Sequence, residues 1–433
     1  MRSAGIGAIL GLAMVSSAWG YGYMGLGLGS GVFQASARCG GMGEVALLCE
    51  ESPLAAALNP AMLAGLEKPQ VTLTYRAASL NEQWAFPVYD SFDAVLGYNT
   101  YSANSNLYHD FSVGFASGSL EQVFGTSFAV ALVPAYDFRY DYEEELLDRN
   151  STAQPPDRVI ARDFIRGDGE IRSLSCGLGM TPVESLAVGF GLDYLFGKHD
   201  LDAGIVFLDE SRIPWPSKRP DTSETYSASD LSGKRFTVAA TYALGERLDF
   251  AAVYKSGVEL DGHFSSTATD EFGFGGNLAA YGSSTKIEYP ASYAFGVSLR
   301  PRNTLLTVIE ADVVFSRWSQ VEDTAGVGRT TLDDTYEWHI GVEHVFYNQR
   351  PLRFGFLYRP SPDDKETSEA AMTAGTGFNV AGFDIDLAAK VGWREYREPD
   401  LFRDDIFGAE LRGSTDLVKD TAFGGLVTIT RRF

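Results

Sequence analysis

"SLAVGFGLDYLFG", residues 185–197, alternates along most of its length. Its even positions, Leu186, Val188, Phe190, Leu192, Tyr194 and Phe196, are large and apolar, and its odd positions Ala187, Gly189, Gly191 and Asp193 are small or polar. A period of two belongs to an extended strand, which sends successive side chains to opposite faces. A soluble sandwich would bury the large face as its core. A membrane barrel would turn that face to lipid and point the small face into a lumen. One strand fits both, so its recurrence has to decide.

The pattern returns in 170–181, where Leu174, Cys176, Leu178 and Met180 oppose Ser173, Ser175, Gly177 and Gly179, and again in 304–316, 336–346 and 384–394. Charges keep to one face of strand after strand. The opposite faces need cover, and lipid supplies it without a second sheet. Short turns at 182–184, 245–246, 301–303, 347–351 and 382–383 alternate with long polar stretches at 139–169, 199–234, 261–284, 321–335, 361–371 and 395–421. That is the alternation of periplasmic turns and extracellular loops.

The reading is all-β: an antiparallel transmembrane β-barrel of about 14 strands, at 71–79, 108–117, 126–138, 170–181, 185–198, 235–244, 247–260, 285–300, 304–318, 336–346, 352–360, 372–381, 384–394 and 422–433. Residues 92–102, "FDAVLGYNTYS", also look extended. A fifteenth strand would break the parity of a closed antiparallel barrel, so they are assigned to a structured first outer loop. The chain ends on Phe433, in phase with Phe423, Val427 and Ile429. A terminal aromatic on a final strand resembles the signal read by the outer-membrane barrel-insertion machinery.

Composition narrows the class. The 433 residues carry 35 Lys and Arg against 57 Asp and Glu, a formal charge of −22. Such a chain repels nucleic acid, which is therefore not an expected partner. Residues 1–20 read as a secretory signal peptide, with Arg2, an apolar run from Ile6 to Val15 and a small-residue site at Ala18-Trp19-Gly20. No later stretch is long and apolar enough for a membrane helix. Cys39 and Cys49 are a possible disulfide in an oxidising compartment, and two buried thiols are an equal alternative.

Between the leader and the first strand, residues 21–70 include "SPLAAALNPAMLAGLEKP" (52–69), a helix-prone run stopped at Pro60, with Asn59 placed to cap or turn it. A Gly-rich start, the turn Gly41-Met42-Gly43 and the motif Asn59-Pro60-Ala61 shortly before a strand resemble the long-chain fatty acid and aromatic hydrocarbon transporters of the outer membrane, the FadL/OMPP1/TodX family. Further echoes are "YPASYAFGVSLRP" (289–301) and "EADVVFSRWSQ" (310–320). The resemblance implies a partly helical hatch in the lumen, residues 21–70, with Asn59, Pro60 and Ala61 as its gate, then a barrel over 71–433. It also implies residence in the outer membrane of a Gram-negative-type bacterium as a monomer among outer-membrane lipid. A plug is physically needed, because fourteen strands enclose a lumen that would otherwise leak.

No sequence of catalytic, metal or nucleotide type is present, so no enzyme activity, catalytic residue, cofactor or metal is expected. Strand phase puts Asp193, Asp249, Lys255, Glu288, Glu310, Asp312, Glu343, Arg353, Arg359, Asp386, Lys390 and Arg394 in the lumen. They read as a salt-bridged network, with Lys255, Arg359 and Arg394 as candidates for a ligand carboxylate. Apolar residues of the predicted outer loops, Trp84, Phe86, Phe207, Trp215, Phe272 and Phe274, read as a capture surface for a hydrophobic small molecule. The alternative is a structural or secretion-accessory barrel that binds a protein.

Overall fold

The computed structural model describes residues 27–119, 125–147, 159–208, 222–268, 278–302, 306–321, 332–362, 367–401 and 415–433. Residues 1–20, read from sequence as a signal peptide, lie outside that set. A two-residue strand, β1 (Ser30–Gly31), two one-turn helices, α1 (Ala37–Gly40) and α2 (Ala55–Leu58), and a 3-10 helix (Pro60–Gly65) come first. The wall follows as β2 (Gln70–Tyr89), β3 (Val95–Ala116), β4 (Ser127–Asp137), β5 (Tyr140–Leu147), β6 (Val159–Asp168), β7 (Glu170–Val183), β8 (Leu186–Phe207) and β9 (Thr222–Leu244). It continues through β10 (Leu248–Lys255), β11 (Val258–Ala268), β12 (Leu278–Tyr289), β13 (Ser292–Leu299), β14 (Leu306–Ser316) and β15 (Thr335–Val345). The last four strands are β16 (Pro351–Pro360), β17 (Ser368–Val380), β18 (Phe383–Glu398) and β19 (Asp416–Arg432).

Neighbours pair antiparallel around the sheet, and β19 closes on β2 from Leu417↔Ala85 to Arg432↔Gln70. Closure leaves no edge for a partner to extend. Four staves are broken in two: β4 with β5, β6 with β7, β10 with β11, and β12 with β13. Counted as staves, the wall is the expected closed barrel of fourteen. One break falls at Gly169, whose φ of +132° and close approach to Lys198 leave no room for a side chain. Another falls at Pro290, which has no N–H for the ladder.

The staves extend well beyond the predicted strands. Residues assigned to loops at 139–169, 199–234, 261–284 and 395–421 supply β5, β6, the upper ends of β8 and β9, β11, the start of β12, and the ends of β18 and β19. Above the bilayer no face meets lipid, so the large/small alternation fades while the hydrogen-bond ladder runs on. The segment 92–102 is corrected in the same way. From Val95 it is the upper part of β3, paired with β2, and parity is untouched.

Side-chain phase is as read in the founding stretch: Phe190 and Leu192 are 51% and 48% exposed, while Asp193 is 1% exposed in the lumen. Glu288 is the exception, because Ile287 and Tyr289 are the buried residues of β12 and Glu288 between them faces outward. Among the described residues no helix is long and apolar enough to span a bilayer; the strands do the crossing.

Leu192 sits mid-strand on the lipid face, so Leu192→Arg is expected to destabilise the folded barrel by about 2–4 kcal/mol. Urea unfolding in lipid vesicles, read by the folded band on unboiled gels, measures this; Leu192→Phe serves as the tolerated control.

Candidate functional site: the lumen and the segment within it

Residues 29–66 lie against the inner faces of the wall strands, and the wall accommodates them by giving up side chains. A Cβ added at Gly189 would collide with Ala61 N and Pro60 C, and one at Gly177 would come within 2.8 Å of Leu63 and 2.9 Å of Ala56. A second seat lies across the lumen, where Met42 and Gly43 press against Gly341 and Gly355. The small residues of the alternating strands are therefore sockets. The face was legible in sequence, but which residue meets which socket was not.

Polar contacts fix what the sockets admit. Asn59 accepts from Ala61 N at 3.1 Å, capping the 3-10 helix, and its Nδ2 donates to Leu47 O at 2.6 Å. Pro60 follows as the first helical residue, where a missing N–H is harmless. Asp312 Oδ2 accepts from Ala46 N and Leu47 N, and Glu310 Oε1 accepts from Leu48 N and Cys49 N, at 2.8–3.1 Å. Two wall carboxylates thus satisfy four amides of a turn that has no helix to satisfy them. Cys39 and Cys49 are disulfide-bonded, which closes the loop bearing the Gly43 tip.

At that tip Gly43 N donates to Thr373 Oγ1 at 2.7 Å, and His339 Nδ1 lies 2.9 Å from Gly43 O. Glu44 pairs with Arg359 and Lys390, both at 3.1 Å, and these cations also hold Glu337 and Glu369. Nearby, Arg38 joins Glu343, which pairs with Arg353, which pairs with Asp386. Burial pushes the Glu44 carboxyl up, yet Lys390 and Arg359 outweigh it and hold it below the ordinary carboxylate range.

The upper lumen is different in kind. A buried aromatic cluster that includes Trp84, Tyr136, Tyr142, Tyr226, Tyr289 and Trp318 fills it. Tyr136 and Tyr289 stack with centroids 3.7 Å apart, and Tyr289 Oη donates to Leu28 O at 2.7 Å, so the cluster rests on the lumen segment. Of the residues expected to capture a ligand, Trp84 lies in this cluster and Phe86 packs on Tyr101. Phe207 belongs to a separate group with Leu146, Ile160 and Ile205. All three sit in strands rather than loops, and Trp215, Phe272 and Phe274 lie outside the described residues. Arg394 is bonded to Asp420, as Arg359 is to its carboxylates. Lys255 makes no hydrogen bond or ion pair among the described residues and stands beside the buried Asp193–Arg235 pair. Sequence reading did not single out the tyrosines that build the cluster: Tyr140, Tyr142, Tyr226 and Tyr396 fell in stretches assigned to loops, and Tyr136 and Tyr289 in predicted strands where nothing marked them as a cluster.

A family model described as BamG matches residues 13–412. The chain belongs to the BamG family. No curated protein matches it. The fold of this BamG-family chain is shared with solved structures at low identity. A Pseudomonas aeruginosa FadL homologue superposes with a TM-score of 0.67 at 17% identity, over 94% of this chain and 100% of that one. The P. putida toluene transporter TodX gives 0.65 at 15%, over 93% and 99%, and the Ralstonia pickettii toluene transporter TbuX 0.58 at 15%, over 93% and 99%. The protein resides in the outer membrane of a Gram-negative bacterium.

Two outcomes test this arrangement. Gly189→Val is expected to unseat the 3-10 helix and raise ion conductance in planar bilayers at least tenfold, while leaving the folded gel band intact. Because the Glu44 carboxyl is held low, its contribution is complete at neutral pH and is lost as the pH falls below the ordinary carboxylate range. Hydrogen exchange of the 39–47 peptide, corrected for intrinsic rates, should therefore accelerate below about pH 4 in the wild type. In Glu44→Gln it should already be fast at pH 7, without that added acid step.

Proposed function

We propose that this outer-membrane barrel carries hydrophobic compounds, long-chain fatty acids or aromatic hydrocarbons, inward across the membrane. The observation that supports this best is the aromatic upper lumen with Lys255 beside it, a buried cation that makes no ion pair among the described residues. Aromatic faces suit an apolar body, and a lone ammonium suits a carboxylate head. Arg359 and Arg394 serve instead as anchors for the wall and the lumen segment.

Phe86 and Phe207, with Trp215, Phe272 and Phe274 of the stretches read from sequence as outer loops, gather the compound and hand it to the aromatic region, to which Trp84 belongs. The lumen segment, residues 21–70, is the hatch. A rearrangement about Asn59-Pro60-Ala61 releases the compound, sideways into the bilayer. Phe433 addresses the chain to the insertion machinery, and the protein works as a monomer. The ion-paired, glycine-seated hatch also supports a second reading, an accessory barrel that binds a protein partner and moves nothing.

Uptake of labelled oleate and toluene by cells with and without the protein tests transport; equal uptake would sink it. Lys255→Met should cut oleate uptake at least fivefold and leave toluene uptake unchanged. A stoichiometric protein partner co-purifying from membranes of cells that show no uptake would favour the second reading.

A further inference from the structure

The bridge between Cys39 and Cys49 lies inside the closed wall. The two cysteines are 0% and 3% exposed, and they cluster with Ala35, Met42 and Val45, against which Phe33, Ala46 and Leu58 pack. The loop that they close is held by strands from much of the barrel. Ala37 N donates to Thr428 Oγ1 of β19 and Gly43 N to Thr373 Oγ1 of β17, each at 2.7 Å. Arg38 pairs with Glu343 of β15 at 3.1 Å, and Glu310 of β14 accepts from Cys49 N itself. Gly40 and Gly41 lie against Leu426 and Gly375, and Gly43 N occupies the place that a side chain at Gly355 would take.

Every one of these strands follows the cysteines in the chain, and Thr428 lies 391 residues after Ala37. The wall is complete only when β19 pairs with β2. Before that step the cysteines stand on an open chain; after it they stand in a filled lumen. Disulfides form by exchange, in which a thiolate must meet a sulfur of the oxidant's own disulfide, so the rate depends on access. An oxidising enzyme carries that disulfide on a folded protein, and a body of that size is excluded from a lumen already occupied by residues 29–66.

We propose that Cys39 and Cys49 are the substrate of a periplasmic thiol–disulfide oxidase that acts before the barrel closes, so that the wall assembles around a loop already joined. One cysteine thiolate attacks the oxidase disulfide, forms a mixed disulfide and releases one oxidase thiolate. The second cysteine thiolate attacks its partner's sulfur in that mixed disulfide, closes the bridge and leaves the oxidase as a dithiol. Two electrons pass to the oxidase, and the two thiol protons end, by way of water, on its sulfurs. The loop then meets the wall with its ends fixed, and the amides of 46–49 turn together toward Asp312 and Glu310. The order is independent of whether the barrel carries a compound or binds a protein.

The test follows the full chain as Cys176→Ser, which leaves only this pair to read, by pulse-labelling in cells with an alkylating quench and unboiled, non-reducing gels. The bridge is expected in chains that are still unfolded, and every folded band is expected to carry it already. A folded, reduced species, whether or not it later gains the bridge, overturns the order. In cells lacking the periplasmic thiol oxidase, bridged chain should fall at least fivefold; an unchanged amount overturns the enzyme's part. Purified protein gives an independent arm. A thioredoxin-fold oxidase should join the cysteines of reduced chain freshly diluted from urea, and should act on reduced chain folded in lipid vesicles on the order of 100-fold more slowly. Where reduced chain does not fold, the comparison runs backwards: reduced thioredoxin should open the bridge of the folded, bridged protein on the order of 100-fold more slowly than that of bridged chain freshly diluted from urea. Equal rates in either direction overturn the proposal.

Discussion

Fourteen strands close around a space that wall side chains cannot fill by themselves, and much of this structure follows from how that space is filled. The solution is a polypeptide segment rather than larger side chains. A backbone brought into a lumen carries unpaired amides and carbonyls that water no longer serves, so each needs a partner from the wall. Asp312 and Glu310 take four of these amides, Thr373 and Thr428 one each, and His339 meets the carbonyl of Gly43. Glycines at 177, 189, 341 and 355 let the segment approach closely enough for those bonds to form.

The same requirement explains how charge is distributed in an acidic chain. In the lower lumen, Arg38, Arg353, Arg359 and Lys390 all meet carboxylates, several of which they share. Networks of this kind add little net stability over an apolar filling, but breaking one member is costly because a buried charge is left behind. They specify where the segment sits. The upper lumen has no such network of comparable extent among the described residues; aromatic side chains take its place, and Lys255 lies beside them. The two halves of the lumen thus differ in chemistry, ion-paired below and aromatic above.

The wall and its filling are also one hydrogen-bonded system. Tyr136 and Asp137 of β4 pair with β7 on one side and with Gly31 and Ser30 on the other, while the ladder of β4 to β3 runs only from Val113↔Leu132 to Ala116↔Ala129; Arg139 and Arg172 donate to the carbonyls of His109 and Phe111 on β3.

The lipid-facing band was legible in the sequence because lipid imposes a strict contrast between two faces, and a period of two survives in the residues from β8 to β19. Parity, closure and the outer-membrane class follow from that contrast and from turn lengths. Above the bilayer the contrast disappears, and strands such as β5, β6 and β11 could not be told from loops. Asn59-Pro60-Ala61 could be recognised as a special turn because Asn caps and Pro stops helices by local chemistry alone. The partners of that turn could not be recognised. That Gly189 receives Ala61, that Glu44 sits between Arg359 and Lys390, and that Arg139 donates to the carbonyl of His109 are contacts between residues far apart in the chain. Local pattern determined which face each residue takes; only closure of the barrel around the segment decided which residues meet across the lumen.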